Sequence, residues 1–498
     1  MERYDLLVVG GGINGAGIAR DAAGRGLKVL LVERGDLGGA TSSASSKLIH
    51  GGLRYLEQFR FRLVAEALAE REVLLASAPH LVHPTHFVMP HAPTLRPAWM
   101  IRVGLIAYDY LARRNALEPS SGINLRASKY GSGLRPEFVK GFLYSDCTVD
   151  DARLVVLTAR AAAELGATIM PRTECIAAER HNGVWQAELL AHGTDKLLVE
   201  ARAIVNATGP WVAEFLSSAL RQTPGFGVRL VKGSHIVVPR LYEGGHAYIF
   251  QNDDGRVVFA RALEELFTLI GTTDVALDGM APACEASADE IRYLCRAANG
   301  YFARAIAPSD VVWSYCGVRP LFDDGSQSPS KVTREHELIV DGSKGEAPVL
   351  SVVGGKITVF RRVAEKALGA LAPWLPAMSE AWTSRASLPG GDLGCPDLNQ
   401  FADTRLQRDF PWLPTDLRRA LARRHGALAY DVLGASTKVS DLGEHFGADL
   451  YAREVDYFVA HEWARTVEDV LWRRTKAGLH LSEAQRVALG RHLERCVS

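Results

Sequence analysis

Apolar and polar positions alternate in short, well-marked blocks along this chain. Leu6–Val9 is an apolar run with β-branched members, and Lys28–Val32 is a second. Between them Ile13, Ile18, Ala19 and Ala22 recur at helical spacing, so Tyr4–Glu33 is predicted as strand, helix, strand. Arg62–Ala76 follows as an amphipathic helix with Leu63, Ala67, Leu68, Val73 and Leu74 inward; the charges of Ala65–Glu72 read as its solvated face. Leu95–Arg114 places Trp99, Val103, Ile106, Tyr110 and Arg113 on one helical face. Arg102 and Asp109 exclude a membrane span, and the periodicity favours a core helix over one lying in a lipid interface.

A further helix is predicted over Ala152–Leu165, then strands over Thr168–Ala177, Val184–Leu190 and Leu197–Ile204. The last strand runs into Asn206-Ala207-Thr208-Gly209, as suits a parallel strand whose C-terminal end faces a nucleotide. Val228–Thr273 alternates as an antiparallel sheet does, with Asp253-Asp254-Gly255 as a hairpin turn, and Val311–Arg319 continues it. Val349–Val353 is a returning strand. It ends at Gly354-Gly355, and a helix runs on through Arg361 to Leu371. Ser387–Pro396 reads as a linker, and beyond it Leu417–Arg424, Arg453–Lys476 and Ser482–Arg495 read as charged helices.

These elements predict an α/β chain: a Rossmann-like nucleotide-binding domain from 1–90, 146–211 and 345–385, an inserted antiparallel-sheet domain from 91–145 and 212–344, and a helical domain from 386–498. A length of 498 residues suits two or three domains. Lys plus Arg and Asp plus Glu both number 57, so no global field favours nucleic acid. The seven cysteines form no C-x-x-C pair and fit free thiols in a reducing compartment. The chain starts at once with a strand, leaving no room for a signal peptide, and has no apolar run of about 18 residues to span a membrane. His80, His83, His86 and His91 are separated by prolines, and His461-Glu462 lacks its second histidine, so no metal is expected.

The first block carries the clearest chemistry. Gly10, Gly12 and Gly15 stand in G-x-G-x-x-G spacing between a strand and a helix, and Glu33 closes the next strand. The glycines allow a tight turn, close approach to a pyrophosphate and close helix packing. An acidic strand end suits ribose hydroxyls and favours FAD or NAD over NADP. Gly35–Glu57 is rich in Gly, Ser and Ala, and within nine residues carries Lys47, His50, Arg54 and Tyr55. Its small residues let backbone crowd a ligand, and its hydroxyls and Lys47 suit phosphate oxygens, so the segment is expected to contact the cofactor.

GGGINGAG, TSSASSKLIHGGLRYLE, VDDARL, VNATGPW, KGSHIVVP, IGTTD, GVRP, GGKIT, SDLG and HEWARTVEDVLWRRTK together resemble the aerobic FAD-dependent glycerol-3-phosphate dehydrogenases, almost end to end. The resemblance implies a flavoprotein with a C-terminal helical cap that oxidises sn-glycerol 3-phosphate to dihydroxyacetone phosphate. Electrons would pass to quinone at the inner face of the cytoplasmic membrane, where the protein would lie on the surface; a homodimer stays open.

Noncovalent FAD is expected against Gly10, Gly12, Ile13, Asn14, Gly15, Glu33, Thr41, Ser42, Ser46, Lys47, Leu48, His50, Ala207, Gly209, Gly355, Lys356, Ile357 and Thr358. Arg54 and Arg319 are expected to clamp the substrate phosphate, with Tyr55 beside them. His235 is the expected general base, and Lys356 the cation beside the flavin ring. Three departures bear on substrate contacts: Val359 where a threonine is usual, the charged segment Ala260–Glu265, and Cys316 where a small hydroxyl residue is common. The competing readings are an oxygen-using oxidase of the same substrate, an amine or amino-acid oxidase, and a non-enzymatic flavoprotein that binds or senses glycerol phosphate.

Overall fold

The computed structural model describes every residue except 93–95, 113–116, 253, 280–283, 324–334, 344, 396 and 498. Leu95, Arg113, Arg114, Asp253 and Pro396, used in the patterns above, lie outside the described residues. The first sheet is built on β1 (Glu2–Val9), parallel to β2 (Val29–Glu33) on one side and to β10 (Asp195–Asn206) on the other. β7 (Thr168–Pro171) extends it past β2, and β18 (Val349–Val353) past β10. Leu6, Leu7 and Val8 are fully buried, as befits a central strand covered on both faces. The helices α1 (Ile13–Gly24), α4 (Asp151–Glu164) and α7 (Phe360–Leu371) form one cover. β8 (Thr173–His181), β9 (Val184–Ala191) and β17 (Glu337–Asp341) join antiparallel at the margins. The run predicted over Thr168–Ala177 splits at Arg172, which has φ 55° and a side chain turned to Asp469.

The second sheet runs β15 (Val275–Leu277), β11 (Val228–Pro239), β14 (Phe267–Gly271), β13 (Val257–Leu263), β12 (Ala247–Gln251), β4 (Val82–His91), β6 (Lys140–Val149), β3 (Leu48–Ile49). β16 (Trp313–Phe322) pairs with β11, and β5 (Ser121–Asn124) with β6. The domain boundaries drawn at 90 and 146 therefore cut this sheet: β4 and β6 pair with each other from Val82–Val149 to His91–Lys140. Residues 337–341 belong instead to the first sheet, because β17 pairs with β18.

Four expectations are revised. On α2 (Phe61–Ser77), Glu70 and Arg71 are buried rather than solvated: Glu70 takes Arg361, and Arg71 takes Asp146 at 2.6 Å. On α3 (Ala98–Tyr110) the predicted face points to solvent, with Trp99 67 % and Tyr110 84 % exposed, so it is no core helix; Leu105 and Tyr108 pack inward instead. Cys284 and Cys316 pair as a disulfide with Cα atoms 5.8 Å apart, so the cysteines are not all free. The helix expected over Arg453–Lys476 ends at His461. Glu462 there turns to Arg153, Trp463 takes φ 57°, and a separate turn forms over Asp469–Arg474.

The C-terminal helices enclose their own core around Phe401, Leu406, Leu421, Val455 and Phe458. They dock on the first sheet's side through charge: Arg474 to Asp36 at 2.9 Å, Glu462 to Arg153 at 2.9 Å, and Lys476 to Asp150 at 3.0 Å. Burial alone would raise the Glu454 carboxyl, but Arg424 and His425 at its oxygens hold it down to about 2. Asp469 is likewise raised by burial, yet held at about 2 by the Arg465 backbone N–H and Arg172. Both folded values lie below the unfolded value of about 4. Their stabilisation is complete above that value and lost as pH falls towards about 2. Melting curves should show Tm dropping over that window; replacing Glu454 by Gln should lower Tm at neutral pH and flatten the drop.

Candidate active site

The glycine fingerprint forms by close packing. Gly10 has φ 111°, and a Cβ there would lie 2.4 Å from the Ala207 carbonyl oxygen. A Cβ on Gly15 would lie 1.9 Å from the Gly10 carbonyl oxygen, so α1 presses against the turn only because that atom is missing. Ser42 Oγ accepts from the Ile13 N–H at 3.0 Å and holds the loop across the start of α1. Glu33 accepts from the Gly11 N–H at 2.7 Å and the Gly35 N–H at 2.8 Å. Burial raises its carboxyl despite those donors. Each carboxylate oxygen keeps a further lone pair for a hydroxyl.

The turn opens into a cavity of about 960 Å³ that runs between the two sheets. Gly10, Gly12, Ile13, Asn14, Glu33, Thr41, Ser42, Ser46, Leu48, His50, Arg54, Tyr55, Ala207, Gly209, His235, Arg319, Gly355, Lys356, Ile357 and Thr358 all line it. Gly15 sits beneath it, in its packing role. Lys47 is the exception. Its Nζ is buried against Asp151 at 2.6 Å and the Ser43 carbonyl at 2.9 Å, so it reaches no phosphate in the cavity.

At the nucleotide end lie three residues the patterns did not single out: Arg34, Trp211 and Arg473. The Arg34 guanidinium stands 4.1 Å from the Trp211 ring centre. Arg34 directly follows Glu33 and was findable; Arg473 lies in the motif HEWARTVEDVLWRRTK of the C-terminal domain, which carried no hint of a cavity.

At the other end, His235 is 2 % exposed, stacks on Tyr315 with ring centres 4.9 Å apart, and lies 2.9 Å from Ser46 Oγ through Nε2. Burial, then the cations Arg319 and Lys47, hold its imidazole well below the usual range, so it is neutral. Arg319 donates to Asp274 at 2.5 Å and to Thr272 Oγ1 at 3.2 Å. Lys356 Nζ lies 3.9 Å, and the Arg54 guanidinium 5.9 Å, from the Tyr55 ring centre. Ile249, Val257 and Phe259 form the apolar wall.

The three departures do not reach this wall. Val359 is 2 % exposed in the core with Phe360 and Val363, so no hydroxyl is lost from the cavity. Arg261 turns to the Lys47 carbonyl at 2.7 Å. Cys316 is tied to Cys284.

A nucleotide cradle and a cation-lined pocket in one cavity, between a sheet with a parallel centre and a largely antiparallel sheet, define an FAD-dependent oxidoreductase. The glycine turn, the Glu33 carboxylate and the cavity suit that cofactor. The family model described as FAD dependent oxidoreductase matches residues 5–361, and that for the C-terminal domain of alpha-glycerophosphate oxidase matches 381–494. A glycerol-3-phosphate dehydrogenase of Pseudomonas aeruginosa is 51 % identical over 99 % of this chain and 95 % of its own length. A D-erythritol 1-phosphate dehydrogenase of Brucella abortus is 50 % identical over 98 % and 97 %. The crystal structure of the glycerol-3-phosphate dehydrogenase from Bacillus halodurans complexed with FAD superposes with a TM-score of 0.76. It is 28 % identical and covers 99 % of this chain and 89 % of that one. The chain belongs to the family of FAD-dependent glycerol-3-phosphate dehydrogenases.

Replacing Gly15 by Ala forces α1 off the turn and should yield a folded protein with little FAD. Flavin absorbance per chain after gel filtration measures this; a full complement would show that the helix can move aside.

Proposed function

We propose that this chain oxidises sn-glycerol 3-phosphate to dihydroxyacetone phosphate. The observation that carries the reading is a neutral buried histidine sharing one cavity with the nucleotide cradle and with Arg54, Arg319 and Lys356. FAD, when bound, supplies the acceptor for the hydride that leaves C2. Arg54 and Arg319 hold the phosphate, because the planar fork of a guanidinium can donate to two of its oxygens at once. Asp274 keeps Arg319 pointed into the cavity. His235 takes the hydroxyl proton at Nε2 when the substrate hydroxyl replaces Ser46 Oγ at that nitrogen, and stacking on Tyr315 keeps the ring oriented. Lys356, at the start of the turn into α7, adds positive charge where electrons arrive. Ile249, Val257 and Phe259 exclude water from the reacting carbon.

A four-carbon polyol phosphate is the second reading. The Brucella abortus relative, named for D-erythritol 1-phosphate, is as similar as those named for glycerol 3-phosphate. Anaerobic mixing decides between substrates: glycerol 3-phosphate should bleach the flavin faster than erythritol phosphate, and quinone should restore the colour faster than air. Replacing His235 by Asn should slow bleaching by roughly 10²–10⁴-fold with FAD retained. An unchanged rate would remove His235 from the mechanism.

Among the described residues no helix is long and apolar enough to cross a membrane. The reading is that the protein meets its quinone by lying on the bilayer surface. Trp99, Met100, Val103, Ile106 and Tyr110 give α3 an exposed apolar and aromatic face, and Phe59 and Phe61 are exposed beside the segment it packs on. Such a face suits the headgroup boundary. Changing Trp99 and Ile106 to Ser should lower quinone reduction on liposomes while sparing reduction of a soluble dye. Equal loss of both would assign this face to folding alone.

A further inference from the structure

Arg54 enters the cavity from a turn made of two glycines, Gly51 and Gly52, with Gly52 at φ 82°. Such a pair has little conformational preference of its own. One end is tied where the His50 N–H meets Thr358 Oγ1 at 3.4 Å. On the same side the next N–H, that of Gly51 itself, donates to the Tyr108 hydroxyl at 2.8 Å. That hydroxyl donates in turn to Asp146 Oδ2 at 2.7 Å, and the other Asp146 oxygen takes Arg71 at 2.6 Å. Tyr108, Asp146 and Arg71 are 1–2 % exposed, and none of the three lines the cavity. Contact with the turn is close: a Cβ on Gly51 would lie 2.7 Å from the Tyr108 oxygen, and one on Gly52 3.1 Å from Lys356 Nζ.

We infer that Tyr108 is a positioning residue that fixes, through the Gly51–Gly52 turn, where Arg54 meets the substrate phosphate. Asp146 and Arg71 orient its hydroxyl: a buried carboxylate paired with a guanidinium keeps Tyr108 as donor to Asp146, leaving its oxygen lone pair for Gly51. The ring could be kept by phenylalanine, but the turn would then lose its anchor and Arg54 its fixed approach. This inference rests on the reading that Arg54 binds phosphate.

The test uses the full-length, FAD-loaded enzyme. Tyr108→Phe should keep its FAD and raise KM for glycerol 3-phosphate by on the order of tenfold with a smaller change in kcat, while the slow turnover of bare glycerol barely moves. Arg54→Ala should raise KM more, and adding Tyr108→Phe to it should do no further harm, because the two act through one contact. Asp146→Asn, which leaves the Tyr108 hydroxyl in place, should shift KM in the same direction and serves if Tyr108→Phe folds poorly. Tyr242→Phe, which removes a buried hydroxyl bonded to the His246 carbonyl at 2.5 Å and outside the cavity lining, controls for general softening.

Three results would overturn the inference: additive losses in the double variant, an unchanged KM in Tyr108→Phe, or an equal KM rise in Tyr242→Phe at matched Tm. If Arg54→Ala itself leaves KM unchanged, the phosphate assignment fails and the inference falls with it. If Arg54→Ala raises KM and Tyr108→Phe does not, the inference alone fails.

Discussion

The cavity depends on one buried ion pair, Lys47 with Asp151. The segment from Thr41 to Gln58 leaves the nucleotide sheet, crosses to the second sheet, and contributes residues to both ends of the site. At its midpoint Lys47 takes φ 56° and sends its ammonium group to the first residue of α4. Ser45 Oγ donates to the same carboxylate, and the Arg261 guanidinium reaches the Lys47 carbonyl from the second sheet. A charge this deep is tolerable only while paired; removing one partner of such a pair typically costs about 3–5 kcal/mol. Ser46 on one side of it meets His235 on β11, and Leu48 on the other begins β3, so two strands of the second sheet are referenced to a point that Asp151 ties to α4 on the first.

What the sequence made legible follows from the range of the interactions involved. The fingerprint at Gly10–Gly15 and the carboxylate of Glu33 act within one βαβ unit, and their spacing is their mechanism. Every residue assigned to the cavity lines it except Gly15, which packs below, and Lys47. Lys47 misled because its partner lies 104 positions away, and a lysine in a glycine- and serine-rich loop looks the same whether it meets a phosphate or a carboxylate. Helical periodicity showed that α3 has an apolar face but not which way it points. The break at Glu462 was invisible for the same reason as Lys47: its cause, Arg153, is 309 positions away. The domain boundaries drawn at 90 and 146 cut through β4 and β6, because both strands belong to the second sheet and not to the nucleotide-binding one.

The C-terminal helices are tied to the cofactor end of the molecule, not only to its surface. Asp36 sits in the loop just after Glu33 and is held by both Arg473 and Arg474, while Arg473 also reaches Asp469 and the cavity. Arginine suits this place because its fork can engage two acceptors at once without losing charge on burial. The helical domain therefore has a share in shaping the nucleotide loop that its position in the chain would not suggest.

The order of strands in the first sheet has a consequence for biosynthesis. β1 and β10 are neighbours, but β10's outer neighbour, β18, is the last parallel strand to be made, after the whole of the second sheet's β11–β16. Until residue 353 has left the ribosome, β10 presents a raw edge along Ile204–Asn206, at the point where Ala207 closes over the glycine turn. Sheets assembled from such distant pieces form slowly, and an unpaired edge is where a nascent chain finds the wrong partner. The nucleotide cradle, though written in the first thirty-odd residues, is thus among the last parts of the molecule to be finished. Chains halted before β18 would be left for chaperones or proteases rather than for flavin.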